Sequence, residues 1–158
     1  MDEKSLRKLR ALGNPYVEEQ LLRFAKLCKP AKVTVLDESK GDVEYVRKLS
    51  LSNGEETPLK LKGHTIHFDG YYDLARDTGS TKVLTPPGMR LSKGINTIDR
   101  EEGLREMTGL LDGAMAGKEM LVKFYSLGPS GRFSLCALQI TDSAYVAHSE
   151  DLLYRQGY

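Results

Sequence analysis

The stretch EMLVKFYSL at residues 119–127, joined by a GPSG turn to RFSLCALQIT at residues 132–141, decides the fold. Both runs are almost continuously apolar, which is typical of strands that are buried on both faces of a sheet. Glycine, proline and serine, which tight turns prefer, fill residues 128–131, so the two runs are predicted to pair as neighbouring strands. We therefore expect a central sheet with both faces covered.

The rest of the chain alternates helical patterns with short strands. Five helices are predicted: around Leu6–Leu12, from Pro15 to Lys29 behind an Asn14 cap, at Asp42–Leu51, at Asp99–Ala116, and after Ser143 as far as Tyr154. Two further strands are predicted, at Val33–Leu36 and Thr81–Thr85. The predicted class is α/β with α+β character, a mixed β-sheet flanked by helices. Residues 1–158 are predicted to form a single domain, with a helical start at residues 1–30 and an α/β body at residues 31–158.

Charge and hydropathy point away from nucleic acid and from membranes as partners. The chain has 23 Lys and Arg against 22 Asp and Glu, a net charge of +1 at pH 7, whereas phosphate-backbone binding needs a surplus of cations. The longest uncharged segment, residues 133–141, has nine residues. A membrane helix needs about twenty. Because no secretory signal is present and both Cys28 and Cys136 lie in apolar stretches, we expect a cytoplasmic protein with two reduced core cysteines.

Two imidazoles and a carboxylate lie within six residues, at His64, His67 and Asp69. They make a metal site one hypothesis. A strand would, however, place His64 and His67 on opposite faces, and histidines in a polar loop more often face solvent or form local hydrogen bonds. A small metal-dependent enzyme that uses these three residues is one alternative for the function.

No nucleotide site of a known pattern is present in the sequence. The turn at residues 128–131 leads into another strand, whereas a phosphate loop leads into a helix and ends in Lys-Ser or Lys-Thr. Arg76 is a different candidate, since it precedes a glycine-containing loop and the strand at residues 81–85. At the rim of a sheet its guanidinium could bind a carboxylate or a phosphate through two hydrogen bonds, or form a surface salt bridge.

Three segments occur together in a distinctive order: Ala75-Arg76 with residues 80–84 (STKVL), residues 123–129 (KFYSLGP) and residues 138–146 (LQITDSAYV). They resemble the N-terminal lobe of GTP-dependent phosphoenolpyruvate carboxykinase. The third segment is the most specific, because Thr-Asp-Ser-x-Tyr-Val after an apolar strand is uncommon, although the family usually has proline where Ala144 stands. Residues 64–76 further resemble the archaeal branch. The resemblance covers residues 32–158 and, less closely, the two opening helices.

The resemblance implies an enzyme of gluconeogenesis, a lyase that converts oxaloacetate and GTP into phosphoenolpyruvate, GDP and carbon dioxide with manganese or magnesium. Arg76 matches the family's arginine that contacts the carboxylate of oxaloacetate or phosphoenolpyruvate, so Arg76 is the candidate substrate-binding residue. The Thr-Asp-Ser segment is expected to be scaffold, with Asp142 or Ser143 capping the next helix.

Family members are several times longer than this chain. Their phosphate loop, metal ligands, lid and guanine pocket lie beyond the matched region, so no catalytic, cofactor-binding or metal residue is expected within this chain. The implied partner is the remainder of the enzyme, the C-terminal nucleotide-binding lobe, and the isolated chain is expected to be inactive. The alternative is a free-standing, non-catalytic binding or regulatory module with the same lobe fold.

Overall fold

The computed structural model describes residues 1–71, 77, 79–127, 135–152 and 155–156. Its helices are α1 (Glu3–Ala11), α2 (Pro15–Cys28), α3 (Lys40–Ser52), α4 (Arg100–Leu111) and α5 (Ala144–Ser149), followed by a 3₁₀ turn at Glu150–Leu152. Its strands are β1 (Lys32–Val35), β2 (Thr57–Pro58), β3 (Thr65–Ile66), β4 (Val83–Thr85), β5 (Thr97–Asp99), β6 (Glu119–Leu127), β7 (Leu135–Thr141) and β8 (Arg155–Gln156).

β6 is the centre of a mixed sheet. β1 pairs with its first half in parallel, with Val35 opposite Val122, and β7 pairs antiparallel along its other edge, with Leu138 opposite Phe124. β8 pairs antiparallel with the end of β6. The small pairs β2–β3 (antiparallel) and β4–β5 (parallel) lie outside this sheet. The predicted mixed sheet flanked by helices is therefore confirmed.

The side chains of β6 alternate between two apolar layers, as those of a strand covered on both faces do. One layer packs against the first two helices; its buried members are Leu9, Leu21, Cys28, Val33, Val35, Met115, Met120, Val122 and Phe124. The other layer packs against α3 and α5; its buried members are Leu36, Val46, Leu121, Ala144 and Ala147. For β6, the prediction of two covered faces is confirmed.

For β7 the same prediction is wrong. Leu135 is 71% exposed, and Cys136 and Ala137 are exposed as well. Cys136 is consequently not the core residue that its apolar neighbours predicted, whereas Cys28 is buried; both cysteines are free. The exposed residues, 135–137, form the first part of β7, whereas Leu138 and Ile140 farther along the strand pack against the first apolar layer.

The predicted helix at residues 99–116 is shorter in the structure, where α4 ends at Leu111. Gly113 takes a left-handed conformation with φ +70° and donates a hydrogen bond to the Leu27 carbonyl (2.9 Å), and Met115 N–H donates to the Cys28 carbonyl (3.0 Å). These bonds satisfy carbonyls at the end of α2, which a helix end otherwise leaves without partners. Met115 therefore reaches the core from a turn.

Among the described residues, no helix combines the length and the apolar character that crossing a membrane requires.

Candidate functional site

Arg76, the predicted substrate ligand, lies outside the described residues, as do residues 72–75 and the turn at residues 128–131. The structure resumes with Asp77, whose carboxylate accepts hydrogen bonds from Gly79 N–H (2.9 Å) and from Ser80 N–H (3.1 Å) and Oγ (2.7 Å). The side-chain and backbone hydrogen bonds from Ser80 lower the pKa of Asp77. Asp77 thus closes a turn between Arg76 and β4, and the role of Arg76 stays a prediction.

Among the described residues, the three candidates for a metal site, His64, His67 and Asp69, do not form a metal-ligating group. The His67 ring stacks on Tyr145 with 3.7 Å between ring centroids. Its Nδ1 lies 2.6 Å from the Glu55 carbonyl, which can only accept, so Nδ1 carries the proton; Nε2 lies 3.4 Å from Asp69 Oδ1. The backbone of His64 closes the turn between β2 and β3. Across the described ranges, no group of three or more His, Cys, Asp or Glu side chains could hold a metal ion.

Glu55, which the sequence did not single out, joins the α3–β2 turn to the start of α5. Its carboxylate accepts hydrogen bonds from Ser143 Oγ (2.5 Å) and from the N–H groups of Ala144 (3.1 Å) and Tyr145 (2.8 Å). Ser143 is the N-cap of α5 and accepts from Val146 N–H at 3.1 Å. The expectation that Asp142 or Ser143 caps this helix is therefore confirmed for Ser143.

Glu56, the next residue, lies in a second buried polar cluster. It is 7% exposed and accepts hydrogen bonds from Ser50 Oγ and Thr65 Oγ1, both at 2.7 Å. His148 Nε2 lies 2.5 Å from the same carboxylate, and the His148 ring stands edge-on to Tyr145. Glu56 therefore ties β3 and α5 to the end of α3.

Glu56 and the aromatic rings border an open cavity of about 480 Å³. Its lining includes Arg47, Glu56, Thr65, His67, Tyr145 and His148. Thr65 Oγ1 donates a hydrogen bond to the Glu56 carboxylate, and the His67 and Tyr145 rings stack on each other. These groups therefore already have partners within the protein. The arrangement holds α5 and the β2–β3 hairpin to the body of the fold, which is a structural task.

Hydrogen bonding sets the charge state of both glutamates. Burial by itself would raise the pKa of Glu55, but donors from Ser143, Asn53 and the α5 backbone outweigh it and hold the pKa below its ordinary value. Burial likewise opposes ionisation of Glu56, and the donors Ser50, Thr65 and His148 again leave its pKa lowered. Both side chains are therefore carboxylates at neutral pH.

The lowered pKa values predict an acid-sensitive fold. A carboxylate whose pKa is lower in the folded than in the unfolded chain contributes stability that is present above the unfolded value, 4.5 for glutamate, and lost as pH falls through the folded value. Glu55→Gln and Glu56→Gln should each flatten the pH dependence of the unfolding free energy between about pH 5 and pH 3, measured by urea denaturation. Glu38→Gln, in an exposed loop, is the control. If the unfolding free energy of both variants depends on pH as steeply as that of the unsubstituted chain, the pKa values of Glu55 and Glu56 are not lowered in the fold.

The comparisons with known proteins all point to the same family. The model of the phosphoenolpyruvate carboxykinase N-terminal domain matches residues 19–158. The GTP-dependent phosphoenolpyruvate carboxykinase of Pyrococcus abyssi is 49% identical over 159 residues, which cover 100% of this chain and 26% of that protein. The same enzyme of Thermococcus sibiricus is 45% identical over 159 residues, covering 100% and 25%. That of Anaeromyxobacter dehalogenans is 30% identical over 152 residues, covering 94% and 26%.

The chain spans about a quarter of the length of these curated relatives, at their N-terminal region. The match begins at residue 19, so it takes in most of α2 as well as the segments on which the resemblance rested. The higher identity to the archaeal proteins agrees with the archaeal character of residues 64–76. The chain belongs to the phosphoenolpyruvate carboxykinase N-terminal domain family.

Proposed function

We propose that this chain is the N-terminal, substrate-side part of a cytoplasmic GTP-dependent phosphoenolpyruvate carboxykinase. The reaction breaks a carbon–carbon bond of oxaloacetate, releases carbon dioxide and transfers the γ-phosphoryl group of GTP to the enolate oxygen, giving phosphoenolpyruvate and GDP. The single observation that carries this proposal is the 49% identity to the Pyrococcus abyssi enzyme over 100% of the chain.

Arg76 is proposed to bind the carboxylate of oxaloacetate or phosphoenolpyruvate. A guanidinium donates two parallel hydrogen bonds to a carboxylate, which fixes both the position and the orientation of the substrate. The enolate formed by decarboxylation must stay in line with the phosphoryl group, and a fixed clamp supplies that alignment. The support for this role is the resemblance of the Ala75-Arg76 segment to the family's substrate-binding segment, within the residues that the family model matches.

GTP and the manganese or magnesium ions are proposed to bind in the remainder of the enzyme. The described residues do not fit these groups, since they form no metal-ligating cluster, and the sequence has no phosphate loop. The proposed contribution of this chain is to bind and orient the substrate carboxylate.

An assay of the isolated 158 residues with oxaloacetate, GTP and Mn²⁺ tests whether the chain is a part or a whole. We expect no formation of phosphoenolpyruvate or GDP, because the groups that would hold the nucleotide and the metals lie elsewhere. Turnover by the isolated chain would contradict the proposal. The coding sequence downstream of Tyr158 addresses the alternative, since continuation into a phosphate loop would favour the enzyme and a stop codon would favour a free-standing module.

A further inference from the structure

β7 has an open edge. In the part of the chain that the structure describes, β7 pairs with β6 along one edge, and no strand pairs with the other. Leu135 and Ala137 are exposed on one face of this strand. An open edge of seven residues with apolar side chains offers unpaired N–H and C=O groups to a further strand, and natural proteins usually cover such an edge.

An apolar groove of two adjacent parts lies between β7 and α4. Leu138 and Ile140 of β7 line its first part, of about 330 Å³, together with Leu111. Leu111 also lines the second part, about 560 Å³ between α2 and α4, together with Leu104 and Met107. The two parts share Phe24 and Leu111 and are therefore adjacent.

α4 itself is poorly covered. Its one buried residue is Gly103, and Leu110 is 68% exposed. Leu104 and Met107 are also exposed, although their spacing is that of a buried helical stripe. A contiguous apolar surface of this kind, on a chain with a net charge of only +1, marks an interaction site.

We propose that the β7 surface, meaning the open edge of β7 and the groove from Ile140 to Leu104, is covered by the polypeptide that follows the matched region in the relatives. One of its segments pairs with β7 as a further strand, and its apolar side chains fill the groove. The relatives carry about three quarters of their length beyond the region that this chain matches. A segment in the same polypeptide has a high effective concentration at this surface, so it outcompetes a second copy of the chain.

This inference rests on the proposal that the chain functions as part of a longer enzyme. The test therefore uses the joined enzyme, defined as residues 1–158 continued by the part of the Pyrococcus abyssi relative that follows the matched region. The thiol of Cys136 reports whether the β7 surface is covered. Cys136 lies in β7 opposite Ser126 of β6, on the same face of the strand as Leu138 and Ile140, which line the groove. Its rate of maleimide modification is measured by peptide mass spectrometry.

Two further thiols calibrate the measurement. Cys28, which is buried, reports whether the protein is folded. The cysteine introduced by Leu61→Cys, at a position that is 64% exposed, gives the rate of an uncovered thiol. If Cys28 reacts readily, the joined enzyme is remade with the remainder of the Thermococcus sibiricus relative, so that the comparison always concerns folded protein.

We expect Cys136 to react at least about tenfold more slowly than position 61, because a paired and covered strand reacts only through local opening. Rates that agree within about a factor of two would overturn the proposal, and so would protection that disappears on dilution, which would assign the surface to a second copy. Turnover is measured on the same samples. If the joined enzyme is active and Cys136 is reactive, the proposal for the β7 surface is wrong and the proposed function stands. If Cys136 is protected and there is no turnover, the proposal for the β7 surface stands and the proposed function is wrong.

Discussion

Replacing Arg76 by alanine in the joined enzyme is expected to lower kcat/KM for oxaloacetate by about a hundredfold, which corresponds to about 3 kcal/mol of transition-state binding. The substitution removes the charge and the two hydrogen bonds that Arg76 is proposed to donate to the substrate carboxylate. Because alignment of the enolate depends on the same contact, we expect kcat to fall as well as KM to rise.

Two matched variants show whether the effect belongs to the guanidinium. Arg76→Lys keeps the charge but loses the two-pronged geometry, so its kcat/KM should fall between those of the alanine variant and the unsubstituted enzyme. Arg7→Ala, on the exposed side of α1, removes an arginine without touching the proposed site and should leave the kinetics unchanged. An unchanged kcat/KM in Arg76→Ala would remove Arg76 from the substrate site.

Replacing Asp42 by alanine is expected to lower the unfolding free energy of the chain by about 3 kcal/mol. Asp42 lies in the first turn of α3, is 4% exposed, and accepts hydrogen bonds from Lys8, from Lys4 Nζ (2.5 Å) and from Asp37 N–H (3.0 Å). Lys8 is buried beside it. Without Asp42, the Lys8 ammonium loses one of its two carboxylate partners while it stays out of water.

Urea denaturation of three variants separates the buried pair from surface charge. Lys4→Ala removes a lysine that is mostly exposed, so it should cost less than about 1 kcal/mol. The double variant Lys8→Met with Asp42→Ala removes both buried charges and should lose less than the sum of the single losses. A loss for Asp42→Ala no larger than that for Lys4→Ala would contradict the buried ion pair.

The elements with strong local signals were predictable from the sequence. α2 begins behind Asn14 at Pro15 and ends at Cys28, with Lys29 in the left-handed cap position (φ 53°) ahead of Pro30. These residues act within one turn of the helix end, so their effect is visible without tertiary structure. The bounds of β6 were also predicted, because its nearly continuous apolar run lies between Gly117 and the glycine-containing sequence at residues 128–131.

The errors arose where distant contacts decide. Met115 continues the helical spacing of α4, but the end of α4 depends on the bond from Gly113 to the Leu27 carbonyl, a residue far away in sequence. The exposure of Cys136 depends on which segment lies beside β7, which the composition of β7 itself does not encode. The local sequence pattern shows that a segment forms a strand, whereas the burial of that strand depends on which other segments pack against it.

The polar clusters of Glu55 and Glu56 gave no local signal for the same reason. Asn-Gly-Glu-Glu-Thr at residues 53–57 has the composition of an ordinary turn, while the partners Ser143 and His148 are 88 and 92 residues away. The Thr-Asp-Ser segment was the one available pointer, since a cap at Ser143 implies a helix start that a carboxylate can stabilise. The contact of His67 Nδ1 with the Glu55 carbonyl likewise joins residues 12 apart in sequence.

The reaction of the joined enzyme tests most directly whether this chain is the N-terminal part of a GTP-dependent phosphoenolpyruvate carboxykinase. With oxaloacetate, GTP and Mn²⁺, the joined enzyme is predicted to form phosphoenolpyruvate with a kcat/KM within about tenfold of the Pyrococcus abyssi enzyme, a difference of about 1.4 kcal/mol in transition-state binding. The absence of turnover in a joined enzyme that is folded, with Cys28 unreactive, would contradict it.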